Sequence, residues 1–144
     1  MKIGVASDHA GFEYKGKISA LLRKKGYEVI DYGTYSAESC DYSDFAHPLG
    51  TAIDNGEVDL GVAFCGSGNG MAITLNKHQK VRAALCWGTE IARLAKAHNK
   101  ANVIVMPARF ISYQMATTIL NKWLTTEFEG GRHERRIEKI PLCK

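Results

Sequence analysis

"DLGVAFCGSGNGMA", residues 59–72, decides how the rest of the chain is read. It opens with a short apolar run of the kind that fills a strand buried on both faces. The run stops at Cys65, and Gly66, Gly68 and Gly70 alternate through a sharp turn before the pattern becomes helical. A strand, a glycine loop and a helix in that order make half of a parallel crossover unit. In such a unit the loop lies at the carboxyl end of the sheet, where ligands bind.

Outward from this stretch the same alternation repeats. "KIGVA" (2–6), "YEVIDYG" (27–33), "VRAALC" (81–86) and "NVIVMP" (102–107) read as further strands. Helical spacing predicts helices over 12–25, 42–55, 69–77, 89–98 and 112–126, and a last one starting near Arg132. Pro48 is tolerable only near the first turn of its helix or at a kink. Strands separated by helical crossovers predict an α/β fold: a Rossmann-like three-layer αβα sandwich on a five-stranded parallel sheet, with residues 1–144 as one domain. The loops at the strand ends are then "SDHAG", "CGSGNG", "CWGTE" and "PARF".

Composition narrows the function classes. The formal charge is only +4 over 144 residues, and much of it sits in the tail with Arg132, Arg135, Arg136, Lys139 and Lys144. That favours a local anion site over a nucleic-acid face, which needs a broad basic stripe. Cys40, Cys65, Cys86 and Cys143 are scattered without a CxxC and read as free thiols; no zinc-finger or HExxH spacing points to a metal. No run approaches the roughly 20 apolar residues of a membrane span, and a cytoplasmic location is expected.

Four groups of residues carry possible chemistry. Cys65 is either a small buried hydrophobe or a thiol activated by the loop amides and the start of a helix, which are expected to lower its pKa from about 8.5 towards neutrality. The loop matches neither GxGxxG nor GxxxxGK[ST], which argues against a nucleotide. Asp8 and His9 serve as a helix cap or as a holder of hydroxyls or an anion. His98 and Asn99 either cap a helix end or supply a general acid/base group. Arg132 and Arg136, four apart, share one helix face, as a solvated basic surface or as a phosphate clamp to which Arg109 adds a third guanidinium.

The motifs "SDHAGF", "YEVIDYGT", "DYSDFA", "CGSGNG", "AHNKANV" and "EGGRHERRIEKI" occur in one order along nearly the whole chain. In that order they resemble the ribose-5-phosphate isomerase B family, within the wider RpiB/LacAB sugar-phosphate isomerase group. The resemblance implies cofactor-free interconversion of ribose 5-phosphate and ribulose 5-phosphate. It implies Cys65 as proton acceptor and His98 as the proton donor that helps open the sugar ring; from the chemistry, Asp8 is expected to help His98 and Ser67 to hydrogen-bond the thiol or the substrate. It carries substrate binding to Asp8, His9, Gly66, Ser67, Gly68, Asn69, Gly70, Asn99, Arg109, Arg132 and Arg136. It also implies a homodimer or homotetramer with active sites at the subunit interface, the C-terminal helix reaching towards the partner subunit. Allose-6-phosphate or galactose-6-phosphate isomerases of the same group, a non-catalytic phosphosugar-binding protein and a cysteine hydrolase are the rival readings. Tyr42, His47, His78, Trp87 and His133 receive no firm role.

Overall fold

Five strands, β1 (Lys2–Ser7), β2 (Glu28–Asp31), β3 (Leu60–Cys65), β4 (Ala83–Leu85) and β5 (Val103–Pro107), pair in parallel in the order β2-β1-β3-β5-β4. This is the architecture of the computed structural model, which describes residues 1–142; Cys143 and Lys144 lie outside the described residues. The helices are α1 (Phe12–Lys24), α2 (Ser43–Asp54), α3 (Asn69–Leu75), α4 (Thr89–Ala97), α5 (Tyr113–Thr125) and α6 (Arg132–Glu138).

The period of two along each strand divides the core into two layers. Ile3, Val5, Val62, Phe64, Ile104 and Met106 meet Ile18 and Leu22 of α1 and Ile119 and Trp123 of α5. Ala6, Ala63, Cys65, Val103 and Val105 face the other way, onto Leu49 and Ile53 of α2 and Met71 and Leu75 of α3. Burying each of the larger aliphatic side chains contributes roughly 1.5–3 kcal/mol, so both layers are needed to hold the sheet. Right-handed crossovers explain the sorting: β1→β2 and β4→β5 step one way across the sheet, β2→β3 and β3→β4 the other. The predicted αβα sandwich is therefore present.

Two strand boundaries differ from the sequence reading, and Pro48 sits deeper in its helix than a first turn, each for a visible reason. β2 stops at Asp31 instead of reaching 33 because the Asp31 carboxylate accepts the Gly33 N–H at 2.8 Å and the buried Lys15 ammonium at 2.7 Å. β4 shrinks to three residues because the Asn102 and Asn76 side-chain oxygens accept the Arg82 and Ala83 N–H groups at its start. Pro48 is the sixth residue of α2, where its missing N–H would have faced the Asp44 carbonyl; Asp44 is exposed, so water can serve that carbonyl. Among the described residues no helix is long and apolar enough to cross a membrane.

The crossovers leaving β1 and β3 run to opposite faces, so the loops that follow them diverge at the carboxyl end, the switch point at which open α/β sheets bind ligands. The loop after β1 is seated on β3 through Gly11, closing a short 3-10 turn, His9–Gly11. A Cβ on Gly11 would lie 2.4 Å from the Phe64 Cβ and 3.0 Å from the Phe64 carbonyl, with backbone that cannot yield. Gly11→Ala is therefore expected to destabilise the fold by at least the roughly 1–3 kcal/mol of an overpacked core. Denaturant titration checks this; a loss below about 0.5 kcal/mol would mean that the turn does not rest on β3.

Candidate active site

Cys65 is the last residue of β3, only 4% exposed, and the loop that follows bends back over it. Gly68 caps α3 in the left-handed region (φ 80°), where a Cβ would also strike Leu85 at 2.3 Å. That turn aims the N–H groups of Met71, Gly68 and Gly70 at the Cys65 sulfur. These amides pull the thiol pKa down, as the sequence suggested. Burial nevertheless outweighs them, and the Asp8 charge adds to burial, so the net shift is upward. The expected lowering is thus corrected: in the single chain the thiol keeps its proton near neutrality.

The neighbours of the thiol come from the other strand-end loops. Asp8 is buried, and its Oδ1 accepts the Ala10 N–H at 2.9 Å and the Gly11 N–H at 3.2 Å, the cap foreseen for it. His9 is half-buried, and its Nδ1 accepts the Cys40 N–H at 3.2 Å. That bond leaves Nδ1 as the acceptor, so a neutral His9 carries its proton on Nε2. Ala108 and Arg109, after β5, donate backbone N–H groups to the Cys65 and Gly66 carbonyls. The Arg109 side chain runs close over Gly66, whose missing Cβ leaves it room. Ser67 is exposed and accepts the Asn69 N–H at 3.2 Å, shaping its own loop. Tyr42 packs its ring onto Gly70, where a Cβ would come within 2.6 Å.

The remaining candidates lie elsewhere. α4 starts after the carboxyl end of β4 and runs back, so His98 follows it at the amino end of the sheet. There Glu129 N–H bonds the Ala97 carbonyl, and Phe128 and Lys100 share a groove with Asp59 and Leu60 at the start of β3. The His98 ring stacks on His133 of α6, with centroids 4.2 Å apart and planes 11° from parallel. The Glu129 carboxylate lies 3.5 Å from His98 Nε2 and 3.6 Å from His133 Nε2. Desolvation, then the charges of His98 and Arg132, push the His133 pKa down, which keeps that ring uncharged near neutrality. Asn99, Arg132 and Arg136 are all exposed at this end.

The predicted residues therefore form two clusters. Cys65, Gly66–Gly70, Asp8, His9 and Arg109 gather at the carboxyl end; His98, Asn99, Arg132 and Arg136 gather at the amino end. The length of a six-residue strand, about 20 Å, separates the ends. Tyr42 and His133, left without a firm role by the sequence, and Glu129, not singled out by it, are neighbours of these groups. Each joins through a contact between distant elements, although "DYSDFA" holds Tyr42 and "EGGRHERRIEKI" holds Glu129 and His133.

The chain has relatives among known proteins. The family described as Ribose/Galactose Isomerase matches residues 3–140. Ribose-5-phosphate isomerase B of Escherichia coli is 41% identical over 139 residues, covering 96% of this chain and 93% of its own length. A ribose 5-phosphate isomerase from Thermotoga maritima superposes with a TM-score of 0.94 at 50% identity, covering 97% of each chain. The Mycoplasma genitalium ribose-5-phosphate isomerase B, solved with bound ribulose-5-phosphate, gives 0.92 at 40% identity, with 96% of this chain and 93% of that one covered. Matched from end to end in sequence and in fold, this isomerase chain belongs to the ribose/galactose isomerase family.

Proposed function

We propose that the protein interconverts D-ribose 5-phosphate and D-ribulose 5-phosphate without a cofactor, in a site that two copies of the chain build together. The observation that carries this reading is the buried Cys65 sulfur ringed by the Met71, Gly68 and Gly70 amides. Aldose–ketose isomerisation takes a proton from C2 of the open sugar, passes through an enediolate and returns the proton to C1, while the O2 hydroxyl proton passes to O1. Cys65, as thiolate, is the base that carries the proton. The amides of the 66–70 loop face the charge that develops, and one such donor is typically worth on the order of 3 kcal/mol. Before that step the furanose must open, with a proton delivered to the ring oxygen; His98 supplies it and Asp8 assists. His9, Arg109, Arg132 and Arg136 hold the phosphate, and that remote binding energy orients C1 and C2 against the sulfur. Ser67, Asn69 and Asn99 complete the hydroxyl contacts.

The strand's length between the two clusters supports the need for a second copy. His98, Asn99, Arg132 and Arg136 of one copy reach the Cys65 end of the other, as a homodimer or as pairs within a homotetramer. This also answers the upward shift of the thiol. A single chain leaves Cys65 buried next to the Asp8 charge. The cations brought by α6 of a second copy favour the thiolate, as opposite charges near an ionisable group do.

Cys65→Ala is expected to lower kcat by the 10²–10⁴-fold typical of a lost general base, and full activity would remove Cys65 from the mechanism. Arg136→Ala should raise KM about 10–100-fold, the loss of charged hydrogen bonds, with a smaller change in kcat; an unchanged KM takes Arg136 out of the clamp. Shared sites make a sharper forecast: inactive Cys65→Ala and His98→Asn proteins, refolded together in equal amounts, should regain about a quarter of wild-type activity, since half the dimers are mixed and each mixed dimer holds one intact site. A mixture as dead as its parents would place both residues in one chain. Because the thiolate is the working form, kcat/KM should rise with pH through the Cys65 titration and be lost as pH falls. A flat profile from about pH 6 to about pH 9 would argue against a thiol base. Assays on allose 6-phosphate and galactose 6-phosphate alongside ribose 5-phosphate rank the substrates.

A further inference from the structure

Away from both clusters, three side chains join α2 to the turn that follows α3. His47 Nδ1 lies 2.8 Å from His78 Nε2, and His78 Nδ1 lies 3.4 Å from Asp54 Oδ2. Asp54 is itself fixed, because its Oδ1 accepts the Lys80 N–H at 2.8 Å. The His78 ring lies flat against α2 at Gly50, where a Cβ would be 2.3 Å from the ring, so only glycine admits it. The proposed reaction uses none of these groups.

The carboxylate sets the tautomer. With Asp54 at Nδ1, His78 carries its proton there and presents the Nε2 lone pair to His47. The two facing nitrogens thus share a single proton between them. A carboxylate behind one imidazole, itself oriented by a backbone amide, is the outer-shell arrangement that steadies a histidine on a metal.

From this geometry we infer that His47 Nδ1 and His78 Nε2 form a two-imidazole site for a divalent transition-metal ion of the nickel, copper or zinc class, with Asp54 as the positioning residue. The ion takes the place of the shared proton, neutral His47 carries its ring proton on Nε2 instead, and water fills the remaining coordination positions on the exposed His47 side. Metal–nitrogen bonds of about 2.05 Å at a tetrahedral angle put the two nitrogens about 3.3 Å apart and the ring centroids about 5 Å apart. The rings stand 5.1 Å apart with the two nitrogens head-on at 2.8 Å, so with His78 held in place the exposed His47 swings its Nδ1 aside by about 2 Å to share the ion. The His98–Glu129–His133 cluster offers three ligand atoms within 4.8 Å of one another but fails the same test. Its rings are stacked nearly parallel at 4.2 Å, and two parallel planes cannot both contain one ion.

Nickel is the discriminating probe, because imidazole suits it and it is paramagnetic in weak-field sites. Titrating Ni²⁺ into the full-length protein should saturate at one equivalent per chain by calorimetry. It should broaden backbone amide signals around Gly50 and His78 first, and raise Tm with nickel concentration. His47→Gln removes an exposed side chain and leaves the fold alone; it should abolish all three effects, as should His78→Gln. His133→Gln should keep them, and Asp54→Asn should weaken binding by the 10–100-fold typical of a lost outer-shell partner. Binding that survives both His47→Gln and His78→Gln, or that disappears only in His133→Gln, overturns the assignment. So does a wild-type protein that takes up no nickel.

Discussion

The reversal of crossover direction between β1 and β3 is the constraint on which the functional architecture rests. A right-handed connection leaving β1 must pack on one face, and one leaving β3 in the opposite sense must pack on the other. Loops that diverge cannot cover the strand ends between them. The divergence is a product of chain handedness before any side chain is chosen, and the chain then places Asp8, His9 and the glycine loop after Cys65 there. Gly11 and Gly68 follow from the same geometry: one lets the first loop touch β3, the other lets the second turn back over its own sulfur.

That placement sets two opposing demands on Cys65. Burial at a strand end shields the sulfur from water but disfavours the thiolate. The amides of Gly68, Gly70 and Met71 offset part of the cost without removing it. In the proposed reaction the base needs a pKa near the working pH, and there charge from a second copy completes the balance. The exposed arginines of α6 and the His98–His133 stack are held at the far end of the same molecule, ready to face outward. Glu129, within 3.6 Å of both rings, gives that stack a common carboxylate.

The amino-acid sequence carried the fold well where local rules govern. Buried strands announced themselves as β-branched runs, and caps such as Asp8 and Ser112 lay where helix starts were expected. It carried less where distant groups decide. β2 is cut short by Asp31 binding Gly33 and Lys15, and β4 by two asparagine side chains, none of which a window of a few residues can weigh. The direction of the Cys65 shift failed for a related reason: the amides are local and legible, whereas burial and Asp8 arrive from other strands. Likewise His133 became meaningful only when α4 and α6 met, and the His47–His78 pair only when α3 returned its turn to α2. Residues that motif order singled out were nearly all placed at one or other cluster, but their division between opposite ends is a property of strand direction.

The strand order has a further consequence, for how the chain comes together during synthesis. β1, β2 and β3 are neighbours in space and in the first half of the sequence, so they can associate early. β4 is made before β5, yet its sheet partner is β5, which inserts between β3 and β4. Until residue 107 has emerged, β3 exposes a hydrogen-bonding edge and β4 waits unpaired, an arrangement prone to non-native strand pairing. The same insertion delivers the Ala108 and Arg109 amides onto the Cys65 and Gly66 carbonyls. The thiol is therefore laid down in the middle of translation but acquires its finished surroundings only near the end of it.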